Sequence, residues 1–438
     1  MKVAIIGGGI SGLSTAFYIK RLSPTSQITI YEKENRFGGK LQTDKKTGFS
    51  VESTAIGINT ADSEVGSFLA EFNVGVLEQS EVSKAKFIFD KKKLFKFPST
   101  TKELFSSGFL TIAQKITLFF EKFRGVSRAK KDESLYEFGL RRFGKGFTES
   151  VLDAYATAMY AAIPDKLSVE SAFGKLKFLE KEYGSVLKGI KDGGKNIENG
   201  SFVGFDGGMA SFIDSIAVGF SFTKKLDTEV ISVVKIGDEW IVETAEGRAA
   251  YDAVVLATPS YVAARLLKED SELAEPLKSI EYTPVAVVAL GYDELEHQMD
   301  GFGFVTTRRS KAPVLGVSWD SSIFASYAPS GKKLLRVFIG GQRAPMSAVK
   351  DEKELVNIAT WGVFETMGVY AEPSFWDIER WHKGIPSYGI NHKECVDGIF
   401  EKLKDRKGLF LNSNSYRGVR IADCIKNSKL TAVSVIGG

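Results

Sequence analysis

The chain has 438 residues, 43% of them hydrophobic, and 58 Lys and Arg against 54 Asp and Glu leave a formal charge of +4. Such a length predicts two or three folding units and such a composition a large core, which excludes disordered and fibrous classes; the near balance of charge makes no case for nucleic acid. Two cysteines without a CxxC pair and three histidines without an HExxH pattern argue against a metal centre, and no apolar run reaches the roughly 18 residues of a spanning helix.

The 43 glycines exceed the usual ~7% of a chain, and an excess of glycine points to turns or to close approach of backbone to a ligand. They gather first behind a short apolar run, Lys2 to Ile6, that reads as a buried parallel strand and not as a signal peptide. Gly7-Gly8-Gly9-Ile10-Ser11-Gly12 follows and opens a helical pattern from Leu13 to Ile19. In this GxGxxG, Gly7 permits the tight turn, Gly9 lets a pyrophosphate reach the backbone and Gly12 lets helix and strand pack closely. The phosphates would sit at the helix N-terminus, where N–H groups and the macrodipole favour anions. A second strand, Gln27 to Tyr31, ends at Glu32, an acid placed to accept hydrogen bonds from a ribose hydroxyl. The reading is a dinucleotide site.

Downstream, residues 48–60 read as a short strand and turn, and residues 84–98 alternate apolar and basic as a hairpin with one wet face. Residues 101–182 carry helical patterns broken at Gly144, Gly146 and Pro164, and residues 192–201 read as an exposed loop. A helix is expected over 210–218, an antiparallel pair over 228–234 and 240–244, and a buried strand over 251–258 that stops at Pro259. Residues 282–341 are rich in strand patterns and 353–369 read as a helix. The predicted order is discontinuous: nucleotide-binding parts at 1–85, 201–275 and 401–438, a helical insertion at 86–200, and a sheet domain at 276–400.

Glu32-Lys33-Glu34-Asn35-Arg36-Phe37-Gly38-Gly39-Lys40 resembles the second glycine motif of the FAD-dependent amine-oxidase superfamily. With Arg142-Phe143-Gly144, Gly207-Gly208-Met209, Leu256-Ala257-Thr258-Pro259, Leu315 to Phe324, Trp381 to Tyr388 and Ser415 to Val419, the chain resembles its protoporphyrinogen/coproporphyrinogen oxidase branch along its whole length. The resemblance implies an α/β fold: a Rossmann-like FAD-binding domain of the PHBH/GR type, a mixed-sheet substrate domain and a helical insertion. It implies FAD as cofactor and a tetrapyrrole as substrate, oxidised in successive two-electron steps with oxygen as final acceptor. The implied FAD contacts are Gly7, Gly8, Gly9, Ile10, Ser11, Gly12, Glu32, Lys33, Gly38, Gly39, Lys40, Thr54, Ala55, Ile56, Gly57, Val230, Asn414, Val419, Arg420 and Ile421. Lys40 stands where arginine is more usual, which keeps the charge and loses the planar fork. Substrate-side candidates are Lys86, for a propionate, Trp381, over the flavin end, and Arg420; the neighbouring His382 reads as structural.

The chain departs from the family pattern at the flavin end. Thr54, Ala158, Ala162, Ser413 and Arg420 stand where relatives carry smaller residues, mostly glycine. These additions either leave an oxidase, of a porphyrinogen or of an amine or polyene, or reduce the site to a non-catalytic flavin- or tetrapyrrole-binding one. The helix after Arg420 is expected to stabilise negative charge on a reduced flavin with its N-terminus, and to be cut short by Gly437-Gly438. Residues 102–124, basic and amphipathic, read either as a core helix of the insertion or as a peripheral contact on the inner face of a membrane, the chain otherwise being expected in the cytoplasm.

Overall fold

Val3, Ala4 and Ile5 are wholly buried because their strand lies at the centre of a sheet, covered on both faces. The computed structural model describes residues 1–98, 100–106, 108–126, 131–193 and 200–437. In chain order, the elements used below are β1 (Lys2–Ile6), α1 (Ile10–Leu22), β2 (Gln27–Tyr31), β3 (Phe49–Glu52), β4 (Lys86–Asp90) and β5 (Lys93–Lys96). Then come α2 (Ile112–Phe119), α3 (Leu135–Phe143), α4 (Asp153–Tyr160), α5 (Val169–Tyr183), α6 (Gly208–Val218), β6 (Thr223–Lys225), β7 (Val230–Ile236) and β8 (Ala253–Leu256). The last third holds β9 (Tyr282–Tyr292), β10 (Gly303–Thr306), β11 (Gly316–Ser318), β12 (Lys333–Gly340), α7 (Glu352–Met367), β13 (Phe375–Pro386), α8 (His392–Leu403), β14 (Leu409–Leu411) and α9 (Ile421–Gly437).

Two sheets organise the molecule. The first is parallel throughout, in the order β6-β2-β1-β8-β14, so segments from the start, middle and end of the chain build one Rossmann-like unit. The second runs β13-β9-β12-β11-β10-β4-β5 and is antiparallel except where β10 meets β4. This is the α/β architecture expected from the motifs. The hairpin read over 84–98 forms as β4 and β5 and extends the edge of the mixed sheet. Its twelve-residue partner at the other edge, β13, carries mostly half-buried residues, and such a pattern offers little periodicity to read.

The helical insertion lies between β5 and α6. Ser134 and Glu137 form a capping box at the start of α3, satisfying two N–H groups that open any helix. A buried cluster of Phe138, Phe143, Leu152 and Tyr160 holds the insertion together. Inside it, Arg142 is fully buried and donates to the equally buried Glu121, whose carboxylate also accepts from the Val186 N–H at 3.1 Å. The expected core role of residues 102–124 holds only on one side. Leu110 and Leu118 are buried, whereas Ile112, Ile116, Phe119, Phe120 and Phe123 are exposed. Asp192 and Gly193, read as loop, close a short helix over Val186–Gly193; residues 194–199 of that loop lie outside the described residues. The last helix is not short, since α9 runs 17 residues. Among the described residues no helix is long and apolar enough to cross a membrane.

Candidate functional site

The glycine loop joins β1 to α1 as the spacing requires. A Cβ on Gly12 would lie 1.9 Å from the Gly7 carbonyl oxygen, so only glycine lets the helix start this close to the strand. Beside Gly9 the reverse holds: a Cβ there would meet one atom within 4 Å, the Gly38 oxygen at 3.9 Å. Gly9 is also the N-cap of α1 and offers its first turn no side-chain acceptor. The opening N–H groups of a helix have no partner within it, so those of Ile10, Ser11 and Gly12 are left to another acceptor.

Glu32 closes β2 with its carboxylate turned to this loop, accepting from the Gly8 N–H at 2.8 Å and the Glu34 N–H at 3.1 Å. Its carbonyl accepts from the Thr228 N–H, which brings Val230 at the start of β7 to the same end of the sheet. Gly38 and Gly39 return against Gly9 in a parallel bridge. Lys33 is exposed and paired with Glu34 at 2.9 Å. Thr258, just past β8 and packed against Gly7, has a buried hydroxyl with no protein partner.

A second group gathers where β3 runs into the mixed sheet. Trp381 on β13 donates from its indole N–H to the Ser53 carbonyl at 3.2 Å, and the Lys40 ammonium lies 5.5 Å from the Trp381 ring. That ammonium donates to the carbonyls of Lys383, at 2.8 Å, and Gly384, with burial lowering its pKa to about 8. Glu52 is fully buried and accepts from the Met209 N–H and from the hydroxyls of Thr43 and Tyr327, each at 2.9 Å; burial raises its pKa to about 7. Arg336, from β12, donates to the carbonyls of Glu52 and Thr54 and pairs with buried Asp320. Ala55 and Ile56 continue this segment inward, and a Cβ on Gly57 would lie 2.4 Å from the Val203 oxygen.

Three of the side chains expected to replace smaller ones, those of Thr54, Ser413 and Arg420, are bonded back to the protein. The Thr54 hydroxyl donates to the Lys40 carbonyl at 2.8 Å and the Ser413 hydroxyl to that of Ser415, also at 2.8 Å. Arg420 pairs with Asp423 at 3.0 Å, and the same carboxylate accepts from the Arg420 N–H at the start of α9. Val419 packs on the insertion core and Ile421 on the core of the parallel sheet. Asn414 presents its carbonyl to the Tyr388 hydroxyl.

The structure thus brings Thr54, Lys40 and Trp381 together. Lys86 stands apart, exposed on β4, five strands across the mixed sheet from β13, with its ammonium over the Phe302 ring. His382 is exposed, not packed as a structural histidine would be. Sequence reading missed Arg336, because a charged residue within an apolar strand signals burial but not its partners. It also missed the buried His392, which stacks on Tyr388.

Residues 10–436 match the family model of flavin-containing amine oxidoreductases. The chain is 28% identical to coproporphyrinogen III oxidase of Bacillus subtilis, covering 98% of this chain and 96% of that protein. It is 28% identical to the enzyme of the same name from Staphylococcus aureus, over 99% of both chains, and 27% identical to protoporphyrinogen oxidase 2 of Arabidopsis thaliana, over 99% and 94%. A crystal structure provisionally named as a protoporphyrinogen oxidase, from Exiguobacterium sp. 255-15, superposes with a TM-score of 0.85 at 22% identity, covering 99% of this chain and 98% of that one. Reduced UDP-galactopyranose mutase gives 0.76 at 14%, over 100% and 95%, a likeness of fold. With its parallel nucleotide sheet and its mixed sheet, the chain belongs to the flavin-containing amine oxidoreductase family, as an oxidoreductase related to the protoporphyrinogen and coproporphyrinogen oxidases.

Proposed function

We propose that the protein binds FAD and oxidises a porphyrinogen, protoporphyrinogen IX or coproporphyrinogen III, to the porphyrin, with oxygen as final acceptor. The observation that carries this reading is the start of α1: a helix start without a side-chain cap, open space beside Gly9, and the unpartnered Thr258 hydroxyl buried against Gly7. These features fit a pyrophosphate and its neighbouring hydroxyls. Gly8 to Gly12, Gly38 and Gly39 would hold the phosphates, Glu32 the ribose and the Val230 backbone the adenine. Thr54 to Gly57, Asn414 and Val419 to Ile421 would flank the flavin.

Bound there, FAD supplies two-electron acceptance from a substrate C–H bond. The chain's own part is position and electrostatics. Arg336 holds the backbone at Thr54, and Trp381 and Lys40 stand together on the β13 side. Three rounds, each removing two electrons and two protons, convert the substrate, and three oxygen molecules leave as peroxide. Near-full-length similarity to porphyrinogen oxidases favours this substrate class over an amine or polyene. The internal bonding of Thr54, Ser413 and Arg420 counts against a site that has merely decayed. The same reading takes the exposed face of Ile112, Ile116, Phe119 and Phe123 as a peripheral membrane contact.

The test is a visible spectrum of the purified protein followed by aerobic assay on both porphyrinogens. A yellow protein that forms porphyrin on either one is expected. A yellow protein inert on both would overturn the substrate assignment, and failure to take up FAD would overturn the oxidase reading itself.

A further inference from the structure

The turn that leads into α9 is held from outside its own domain. Tyr388, just past β13 and 1% exposed, places its hydroxyl between the two ends of that turn. The hydroxyl accepts from the Gly418 N–H at 2.7 Å and donates to the Asn414 carbonyl at 2.9 Å. Deep burial pushes its pKa well above the ordinary phenol value, so the donor proton is retained. Beneath it the ring of His392 stacks at 4.1 Å with an interplanar angle of 16°. Burial lowers the His392 pKa, which keeps the imidazole neutral, and its Nε2 reaches the Tyr416 carbonyl at 3.2 Å. Three backbone groups of one turn, at 414, 416 and 418, are therefore fixed by two side chains, Tyr388 just past β13 and His392 at the start of α8.

The end of the turn accepts only glycine. Gly418 has φ +104°, and a Cβ there would lie 2.5 Å from that of Asp423. On its other side Tyr388 is tied to the insertion: its carbonyl accepts from the Ser168 N–H at 2.9 Å, and its ring lies 5.4 Å from that of Tyr160. One residue thus touches the helical insertion, the mixed sheet and the segment carrying Asn414, Val419 and Arg420.

We propose that Tyr388, backed by His392, is a positioning residue for the flavin, setting where the N-terminus of α9 stands by clamping the turn at 414–418. The proposal rests on the flavin reading above and names no contact between Tyr388 and substrate. A helix N-terminus acts on a neighbouring anion only within its first turn, so loosening the turn weakens the stabilisation of negative charge on a reduced flavin. Tyr388→Phe keeps the stack on His392 and removes both hydroxyl bonds. His392→Phe keeps the stack and removes the third anchor, which serves if Tyr388→Phe does not fold.

The experiment loads each variant with FAD and measures FAD affinity, the visible spectrum and the midpoint potential by reductive titration. Tyr18→Phe, which loses a hydroxyl bond to Glu64 on the outer side of α1, is the comparison. With both bonds gone, Tyr388→Phe should bind FAD up to about thirtyfold more weakly, equivalent to about 2 kcal/mol. Its potential should fall and its flavin band shift, with neither change in Tyr18→Phe. Wild-type potential and spectrum in folded Tyr388→Phe or His392→Phe would overturn the proposal. Because no porphyrinogen enters the titration, a yellow wild type inert on porphyrinogens overturns the substrate reading alone. A wild type that takes up no FAD overturns both.

Discussion

The guanidinium of Arg336 donates to the Thr54 carbonyl at 2.5 Å, so a side chain from the middle of the mixed sheet sets the backbone of the segment proposed to flank the flavin. The same group reaches the Glu52 carbonyl at 2.8 Å and pairs with Asp320, and both charged residues are almost wholly buried. The substrate sheet and the nucleotide unit are therefore joined by one cation whose removal is felt in both.

Arg336→Met should lower stability by about 3–5 kcal/mol, since it leaves the Asp320 carboxylate buried without its partner. Urea denaturation checks the magnitude. Pairing the change with Asp320→Leu should recover much of the loss, and a double variant as unstable as the single one would contradict the pairing.

Glu52 makes stability depend on pH. Its pKa rises from about 4.5 unfolded to about 7 folded, so between those values the native state holds a proton that the unfolded chain has lost. Stability then falls as pH rises from 4.5 to 7, by on the order of 3 kcal/mol at full effect. Glu52→Gln should remove this slope and be more stable relative to wild type at pH 8 than at pH 4, as read from denaturation midpoints across that range.

Arg420 is half exposed and its pair with Asp423 stands at the surface, so Arg420→Ala should change stability by no more than about 0.5 kcal/mol. The side chain nevertheless borders the start of α9. The variant should alter kcat/KM for a porphyrinogen several-fold while the melting temperature hardly moves. Unchanged kinetics would place Arg420 outside the substrate path.

The apolar face of the insertion predicts a separable property. Phe119 and Phe123 are exposed, with the Lys122 ammonium within about 5 Å of both rings. Changing both to Ser should cost little stability, because neither is core. It should abolish cosedimentation with vesicles containing anionic lipid, an association that salt weakens and apolar insertion sustains. Equal binding by the variant would move the contact elsewhere.

The sequence by itself determined the glycine loop and the strands that flank it, because their signals are local. The glycine spacing from Gly7 to Gly12, the strand before it and Glu32 after β2 lie within one stretch of chain, and each obeys a rule of backbone geometry that needs no distant partner. The period-2 hairpin at 84–98 was legible for the same reason. Only the tertiary structure decided the rest of the site. Arg336 meets Thr54, Trp381 meets Ser53, and Tyr388 meets Asn414 and Gly418 across separations that no periodicity records. It also decided where the side chains of Thr54, Ser413 and Arg420 turn. Whether a side chain intrudes on a site or folds back onto its own protein depends on where hydrogen-bond partners stand in space, and for Thr54, Ser413 and Arg420 those partners are near at hand.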